Sequence, residues 1–147
     1  MTRRDKLTPA SFQAEIEELF SELWHVPRFA GRRRGFLPQV DSYRTDDPPQ
    51  LTVIVELPGV DIRSLTIAVS ERTLVVAGER SRDRSGGRVY QQMEIDDGPF
   101  QRQLLLGEDV DPQGATARYE HGMLTITLPL AAKPVLGGRF AIVVERV

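Results

Sequence analysis

Residues 115–128, ATARYEHGMLTITL, contain two runs of alternating residues separated by His121-Gly122. In the second run Leu124, Ile126 and Leu128 stand at every second position, with methionine and threonines between them. Apolar side chains with this period line one face of a β-strand. A His-Gly pair is typical of a tight turn, because both residues adopt a positive φ more readily than most. The segment therefore predicts a β-hairpin, with His121 in the turn rather than in a catalytic or metal site.

The same two-residue period recurs over residues 51–56 and 65–70. Residues 73–79 are rich in β-branched side chains, which also predicts a strand, and over residues 100–106 Phe100, Leu104 and Leu106 share a parity with Arg102. Turn-forming residues rich in glycine, proline and aspartate separate these segments. Short strands at intervals of roughly 8–12 residues, without helical patterns between them, indicate an antiparallel sandwich. We therefore expect an all-β protein whose residues 40–129 form an immunoglobulin-like antiparallel β-sandwich.

Residues 1–39 have a helical period instead and are expected to form an N-terminal arm, helical or disordered. Their apolar residues fall on one stripe of an amphipathic helix over about 9–25, which would end before Pro27. The stripe consists of Phe12, Ile16, Leu19, Phe20, Leu23 and Trp24. From Pro27 to Pro38 the sequence is typical of a flexible, arginine-rich linker.

Residues 130–147 are expected to form an extended C-terminal tail. Ile142 and Val144 would point to the same side of an extended chain and could enter an apolar groove. Gly137-Gly138 upstream favours a hinge and a tail that reaches a groove elsewhere. The alternative is that this segment forms the last strand of the same domain.

Composition limits the classes of protein to which this chain can belong. The chain has 147 residues, enough for one domain with tails, a formal net charge of −2 and no cysteine. No apolar run approaches the roughly 18 residues that span a bilayer, and the charged N-terminus lacks the apolar core of a secretory signal. We therefore expect a cytoplasmic protein without stable membrane insertion or nucleic-acid binding.

No set of residues predicts catalysis. The chain lacks a phosphate-binding G-x-x-x-x-G-K-[ST] loop, and its two histidines, His25 and His121, are far apart in sequence. The acidic residues between 96 and 111 lack the spacing of a calcium loop, and Arg32-Arg33-Arg34 is more typical of a solvated linker than of a nucleic-acid site. We expect no enzyme activity, no cofactor and no metal.

Several motifs resemble the α-crystallin domain of small heat shock proteins, the Hsp20 family. They occur in the family's order and cover about two thirds of the chain plus the tail. They are Glu56–Val60 (E-L-P-G-V), Leu74–Arg80 (the L-x-I-x-G-E-R strand), Gly98–Arg102 (G-x-F-x-R), Ala117–Leu124 (A-x-x-x-x-G-x-L) and Ile142–Val144 (the I-x-I/V tail motif).

The resemblance implies an ATP-independent holdase chaperone of the bacterial type, which binds partly unfolded clients as a dynamic oligomer of dimers. Clients would bind the helix stripe together with Phe29 and Phe36. The dimer would form through a strand at about 88–92 that crosses to the partner, with Arg88, Val89, Tyr90 and Arg102 at the contact. Ile142 and Val144 would then dock in a neighbour's groove, which the resemblance assigns to Leu65, Ile67, Val69, Ala117 and Tyr119.

A second class of function fits the same sandwich. An adaptor or co-chaperone that binds one folded partner through a sheet edge would also need no catalytic residues. It would be a monomer or simple dimer with selective binding, whereas a holdase would form large particles and suppress aggregation broadly.

Overall fold

The computed structural model describes the backbone of residues 9–25 and 35–147, and the side chains of residues 13–21 and 35–147. It divides into two units, Met1–Arg32 and Arg33–Val147. The described part of the first unit is one helix, α1 (Pro9–His25), over the range in which the apolar period predicts a helix. On its described face Ile16 and Phe20 are buried and Leu19 is half-buried, whereas Gln13 and Glu15 are exposed.

The second unit is a β-sandwich, as the alternating segments predict. Its strands are β1 (Val40–Asp46), β2 (Pro49–Glu56), β3 (Thr66–Ser70), β4 (Thr73–Arg80), β5 (Gly98–Leu105), β6 (Thr116–Glu120), β7 (Met123–Pro129), β8 (Phe140–Ala141) and β9 (Val144–Arg146). One sheet has the order β1-β2-β7-β6-β9 and the other the order β5-β4-β3-β8. Every pair is antiparallel except β6 with β9, which is parallel.

The core lies between the two sheets and is formed by the apolar face of each strand. Its fully buried side chains include Val53 and Val55 of β2, Leu74 and Val76 of β4, and Leu124, Ile126 and Leu128 of β7. In β2 and β7 these are positions that the two-residue period predicts on one face. In β4 the intervening Val75 is fully buried as well, so alternation does not describe that strand.

The β6–β7 hairpin turns at His121-Gly122, as predicted. His121 has φ 53° and Gly122 has φ 76°. A Cβ at Gly122 would lie 2.9 Å from the Cα of Pro58, so glycine lets the turn approach the Pro58-Gly59 turn closely. The Tyr119 hydroxyl donates a 2.7 Å hydrogen bond to the Leu57 carbonyl oxygen beside it. This contact fixes the end of β6, and β6 forms one wall of a groove between the edges of the two sheets.

Candidate functional site: a tail-filled groove and an exposed loop

The C-terminal tail fills a groove between the edges of the two sheets. On one side β8 pairs with β3, with Phe140 opposite Val69 and Ala141 opposite Ala68. The Ile142 amide continues this pairing and donates a 2.9 Å hydrogen bond to the Ile67 carbonyl oxygen. The tail therefore supplies β8, the fourth and outermost strand of the β5-β4-β3-β8 sheet.

On the other side of the groove, β9 runs parallel to β6. Val144 is the register partner of Ala117, and Arg146 that of Tyr119. The Val147 amide donates a 3.2 Å hydrogen bond to the Tyr119 carbonyl oxygen. Within a few residues the tail thus passes from the edge of one sheet to the edge of the other.

Ile142 is the residue that joins both walls. It is only 5% exposed and belongs to the same buried cluster as Ile67, Val69 and Ala117. Leu65, Tyr119 and Val144 are half-buried and pack against that cluster. The five predicted groove residues and the two predicted tail residues are therefore brought together in one place.

The groove that the tail fills belongs to the same chain. This arrangement matches the alternative in which the segment forms the last strands of its own domain. The docking of Ile142 and Val144 into a neighbouring chain stays a prediction, because the structure holds one chain.

A turn at Gly137-Gly138 brings the tail back to the sandwich. Both glycines are left-handed, with φ 69° and 77°. The Ser70 hydroxyl donates a 2.8 Å hydrogen bond to the Gly138 carbonyl oxygen, and the Gly137 amide donates a 3.3 Å hydrogen bond to the Glu71 carboxylate. Sequence reasoning missed Ser70 and Glu71, since side chains of the β3–β4 turn give no signal of a partner some 66 positions away.

Residues 81–97 form an extended loop between β4 and β5 with no strand in it. The strand expected at about 88–92 is thus not formed within one chain. Val89 is 91% exposed and Tyr90 45% exposed. Arg88 pairs with Asp83, and hydrogen bonds from Arg88 and then Arg82 lower the pKa of the Tyr90 hydroxyl. The loop therefore presents apolar side chains to solvent, and its role at a dimer contact stays a prediction.

Arg80 holds the base of this loop. Its Nε donates a 2.8 Å hydrogen bond to the Asp96 carbonyl oxygen, and its Nη1 a 3.3 Å hydrogen bond to the Pro58 carbonyl oxygen. The same guanidinium lies 3.5 Å above the ring centroid of Phe36. One side chain therefore contacts the start of the sandwich unit, the turn after β2 and the end of the loop.

Phe36 packs on the sandwich, although the sequence placed it in the arm among the predicted client-binding residues. Its ring meets Phe100 edge to face, with centroids 5.6 Å apart, and its amide donates a 3.4 Å hydrogen bond to the Pro99 carbonyl oxygen. Gly35 has φ 133°, and a Cβ there would overlap the Pro99 carbonyl oxygen. The start of the unit is therefore fixed against β5 rather than free.

The other predicted client residues lie on or beyond α1. Phe12, Leu23 and Trp24 belong to the helix, but their side chains lie outside the described residues, as does all of Phe29. Arg102 lies on β5 opposite Val76 and is half-buried. Within residues 35–147 no ion pair to Arg102 is formed, so an acidic partner for it at a dimer contact stays a prediction.

The described side chains hold no cluster of three or more histidine or carboxylate groups placed to bind a metal ion. Of the part of the chain that the structure covers, no helix has the length and apolar content to cross a membrane. The Asp109 carboxylate accepts hydrogen bonds from Arg72, which lower its pKa, and this pair joins two surface turns.

Comparison with known proteins gives concordant matches. The model of the Hsp20/alpha crystallin family matches residues 44–139. The "18 kDa antigen 2" of Mycobacterium avium is 37% identical over 103 residues, which cover 70% of this chain and 72% of that protein. "Small heat shock protein C2" of Rickettsia felis is 27% identical over 115 residues, covering 78% and 73%.

Solved structures are similar too. Heat shock protein 16.0 from Schizosaccharomyces pombe superposes with a TM-score of 0.61 at 27% identity, covering 73% of this chain and 98% of that one. A small heat-shock protein from Xylella fastidiosa, described as having a distinct high order structure, gives 0.59 at 28% identity, covering 71% and 94%.

Proposed function

This chain belongs to the Hsp20/alpha crystallin family, whose members are small heat shock chaperones and not enzymes. On that premise we propose that it is an ATP-independent holdase. It binds partly unfolded proteins and suppresses their aggregation without chemistry. Its working form is a dynamic oligomer of dimers.

The observation that carries this proposal is the groove under the tail. The segment that covers Ile67, Val69 and Ala117 is held mainly by short backbone pairings and one buried isoleucine. When it leaves, two neighbouring sheet edges and the apolar strip between them become accessible. An extended apolar segment of an unfolding protein can use the same edges by strand addition.

The arm supplies a second apolar surface. α1 carries Ile16, Leu19 and Phe20 on one stripe, and the sequence adds Phe12, Leu23 and Trp24 to it. An amphipathic helix gains stability only when that stripe is covered. Exposure of this stripe on heating would therefore present aromatic and aliphatic side chains that suit the exposed segments of a client.

Two segments, residues 88–92 and the C-terminal tail, would join chains into an oligomer. Residues 88–92 carry Val89 and Tyr90 into solvent, and pairing of this segment with a partner chain would cover them in a dimer. Exchange of tails between neighbouring grooves would join dimers into larger particles. The excess of acidic over basic residues in 40–129 keeps client-loaded particles soluble.

The test is aggregation suppression without nucleotide. We expect the full chain to reduce the light scattering of a heat-denatured model enzyme at near-equimolar ratio, with or without ATP. Deletion of residues 1–32, which keeps the Phe36 contacts, should leave the far-ultraviolet circular dichroism of the sandwich and weaken protection severalfold. Equal protection by the deletion variant would remove the arm from client binding.

A companion measurement separates the holdase from the adaptor. Size-exclusion chromatography with light scattering should give particles much heavier than a dimer whose mass changes with temperature. A uniform monomer or dimer that protects only one client would support the adaptor instead.

A further inference from the structure

We propose that the tail is a self-closing segment: each chain closes its own groove through the Gly137-Gly138 turn, and assembly requires this closed tail to open and enter the groove of a second copy. This inference rests on the proposed function, because it assumes that the chain assembles into oligomers. The closed state itself is supported by the contacts of a single chain.

The first step is the geometry of the closed tail. The β8 and β9 pairings and the buried Ile142 all lie within one chain. The contacts begin upstream of the I-x-V motif, because Ser70 and Glu71 bind Gly138 and Gly137. The tail is thus held along residues 137–147, not only at the two branched side chains.

The second step is competition. A segment tethered to its own groove acts at an effective concentration of about millimolar for a short flexible connection. In dilute solution the concentration of grooves on other chains is far lower. Closure within one chain is therefore favoured until chains are concentrated within a dimer or particle, or until closure is weakened.

The third step is the conformational requirement of closure. Where the chain returns towards β3, residues 137 and 138 both adopt a left-handed backbone. An extended tail that reaches a second copy has no need of that turn. Glycine at these positions therefore favours the closed state over the open one, relative to any other residue.

Gly137 allows a clean perturbation. A Cβ there meets nothing within 4 Å, so Gly137→Ala adds no clash and acts through the backbone alone. A left-handed alanine is disfavoured by about tenfold in an equilibrium constant. Gly107→Ala is the matched control, since Gly107 also has open space around it and lacks a positive φ.

The readout uses the absence of native cysteine. Arg118 and Glu145 are exposed register partners on β6 and β9, and neighbouring strands lie within disulfide range. In an Arg118→Cys/Glu145→Cys variant of the full chain, a closed tail gives a disulfide within one chain. A tail docked in a neighbour gives covalently linked chains on a non-reducing gel.

We expect the disulfide within one chain to dominate in dilute solution. Gly137→Ala should raise the ratio of linked to single chains about tenfold, and Gly107→Ala should leave it unchanged. Without the cysteines, Gly137→Ala should move the onset of large particles to lower concentration in light scattering, whereas Ile142→Ala should reduce particle mass.

Linked chains at every concentration, or a ratio unmoved by Gly137→Ala, would overturn the closed tail. A particle that shrinks with Gly137→Ala would overturn it too, since the turn would then serve docking between chains. These outcomes are separate from the holdase test, because a closed tail in a chain that protects no client refutes only the proposed function.

Discussion

The packing of Phe36 yields a prediction that separates the sandwich from the arm. Phe36→Ala removes a half-buried ring, an edge-to-face contact with Phe100 and the guanidinium of Arg80 above the ring face. Half of a phenylalanine's burial is worth about 1 kcal/mol. The aromatic pair adds about 1 kcal/mol and the cation–π contact about 0.5 kcal/mol. We expect the free energy of unfolding to fall by about 2–3 kcal/mol.

The assay is urea unfolding of the full chain, followed by far-ultraviolet circular dichroism at one fixed protein concentration, because assembly links stability to concentration. Phe36→Leu should lose only the two contacts of the aromatic ring, about 1.5 kcal/mol. Leu37→Ala is the neighbouring control, since Leu37 is 38% exposed, and it should cost about 0.5 kcal/mol or less.

Client protection by Phe36→Ala, measured below its unfolding range, should stay close to that of the parent chain. An unchanged unfolding midpoint together with weaker protection would refute the reasoning. Phe36 would then be a client-binding residue of the arm, as the sequence alone suggests.

Two other predictions concern single side chains of the sandwich. Tyr119→Phe leaves the Leu57 carbonyl oxygen without its 2.7 Å donor and should lower the free energy of unfolding by about 1–2 kcal/mol, whereas Tyr43→Phe at a half-exposed site should have almost no effect in the same urea assay. The hydrogen bonds from Arg72 lower the pKa of Asp109, so their stabilisation is present above the ordinary carboxyl pKa of about 4 and is lost as pH falls through the lowered value. Asp109→Asn should therefore be less stable than the parent near neutral pH, and the two unfolding midpoints should converge below about pH 4; a gap that widens in acid would contradict the assignment.

The strands with a single buried face are predictable from alternation, whereas β3 and β4 each carry three consecutive buried residues. Leu124, Ile126 and Leu128 alternate strictly, and any other register would turn them to solvent. The turn at His121-Gly122 is equally local, since its residue types favour the φ values that it adopts. The bounds of α1 are also set by local sequence, namely its apolar stripe and Pro27 just after its end.

Long-range contacts were not predictable in the same way. Phe36 follows an arginine-rich stretch and a glycine, which indicated a linker, but its partners Pro99 and Phe100 are distant in sequence. Arg80 gives no sign in the sequence that it binds both the Pro58 and the Asp96 carbonyl oxygens. Such contacts depend on the assembled sandwich and leave no periodic pattern.

The C-terminal tail shows a different limit of prediction from sequence. A pattern with Ile142 and Val144 identifies a segment that fills an apolar groove, and the groove residues were identified with it. The pattern is the same whether the groove belongs to the chain or to a neighbour. In this structure the groove belongs to the same chain, and a left-handed turn at Gly137-Gly138 leads the tail back to it. In the sequence, a glycine pair suggests a hinge as readily as such a turn.

The two short terminal strands also have a protective effect. In each sheet they occupy the outermost position on the groove side, where β3 and β6 would otherwise display unpaired amides and carbonyls. Rows of unsatisfied backbone groups next to apolar side chains are templates for fibrillar growth. A chain cut before residue 137 would lose Ile142 from its core and uncover both edges, so we expect the tail to cover two adjacent sites at which strands of other molecules could add.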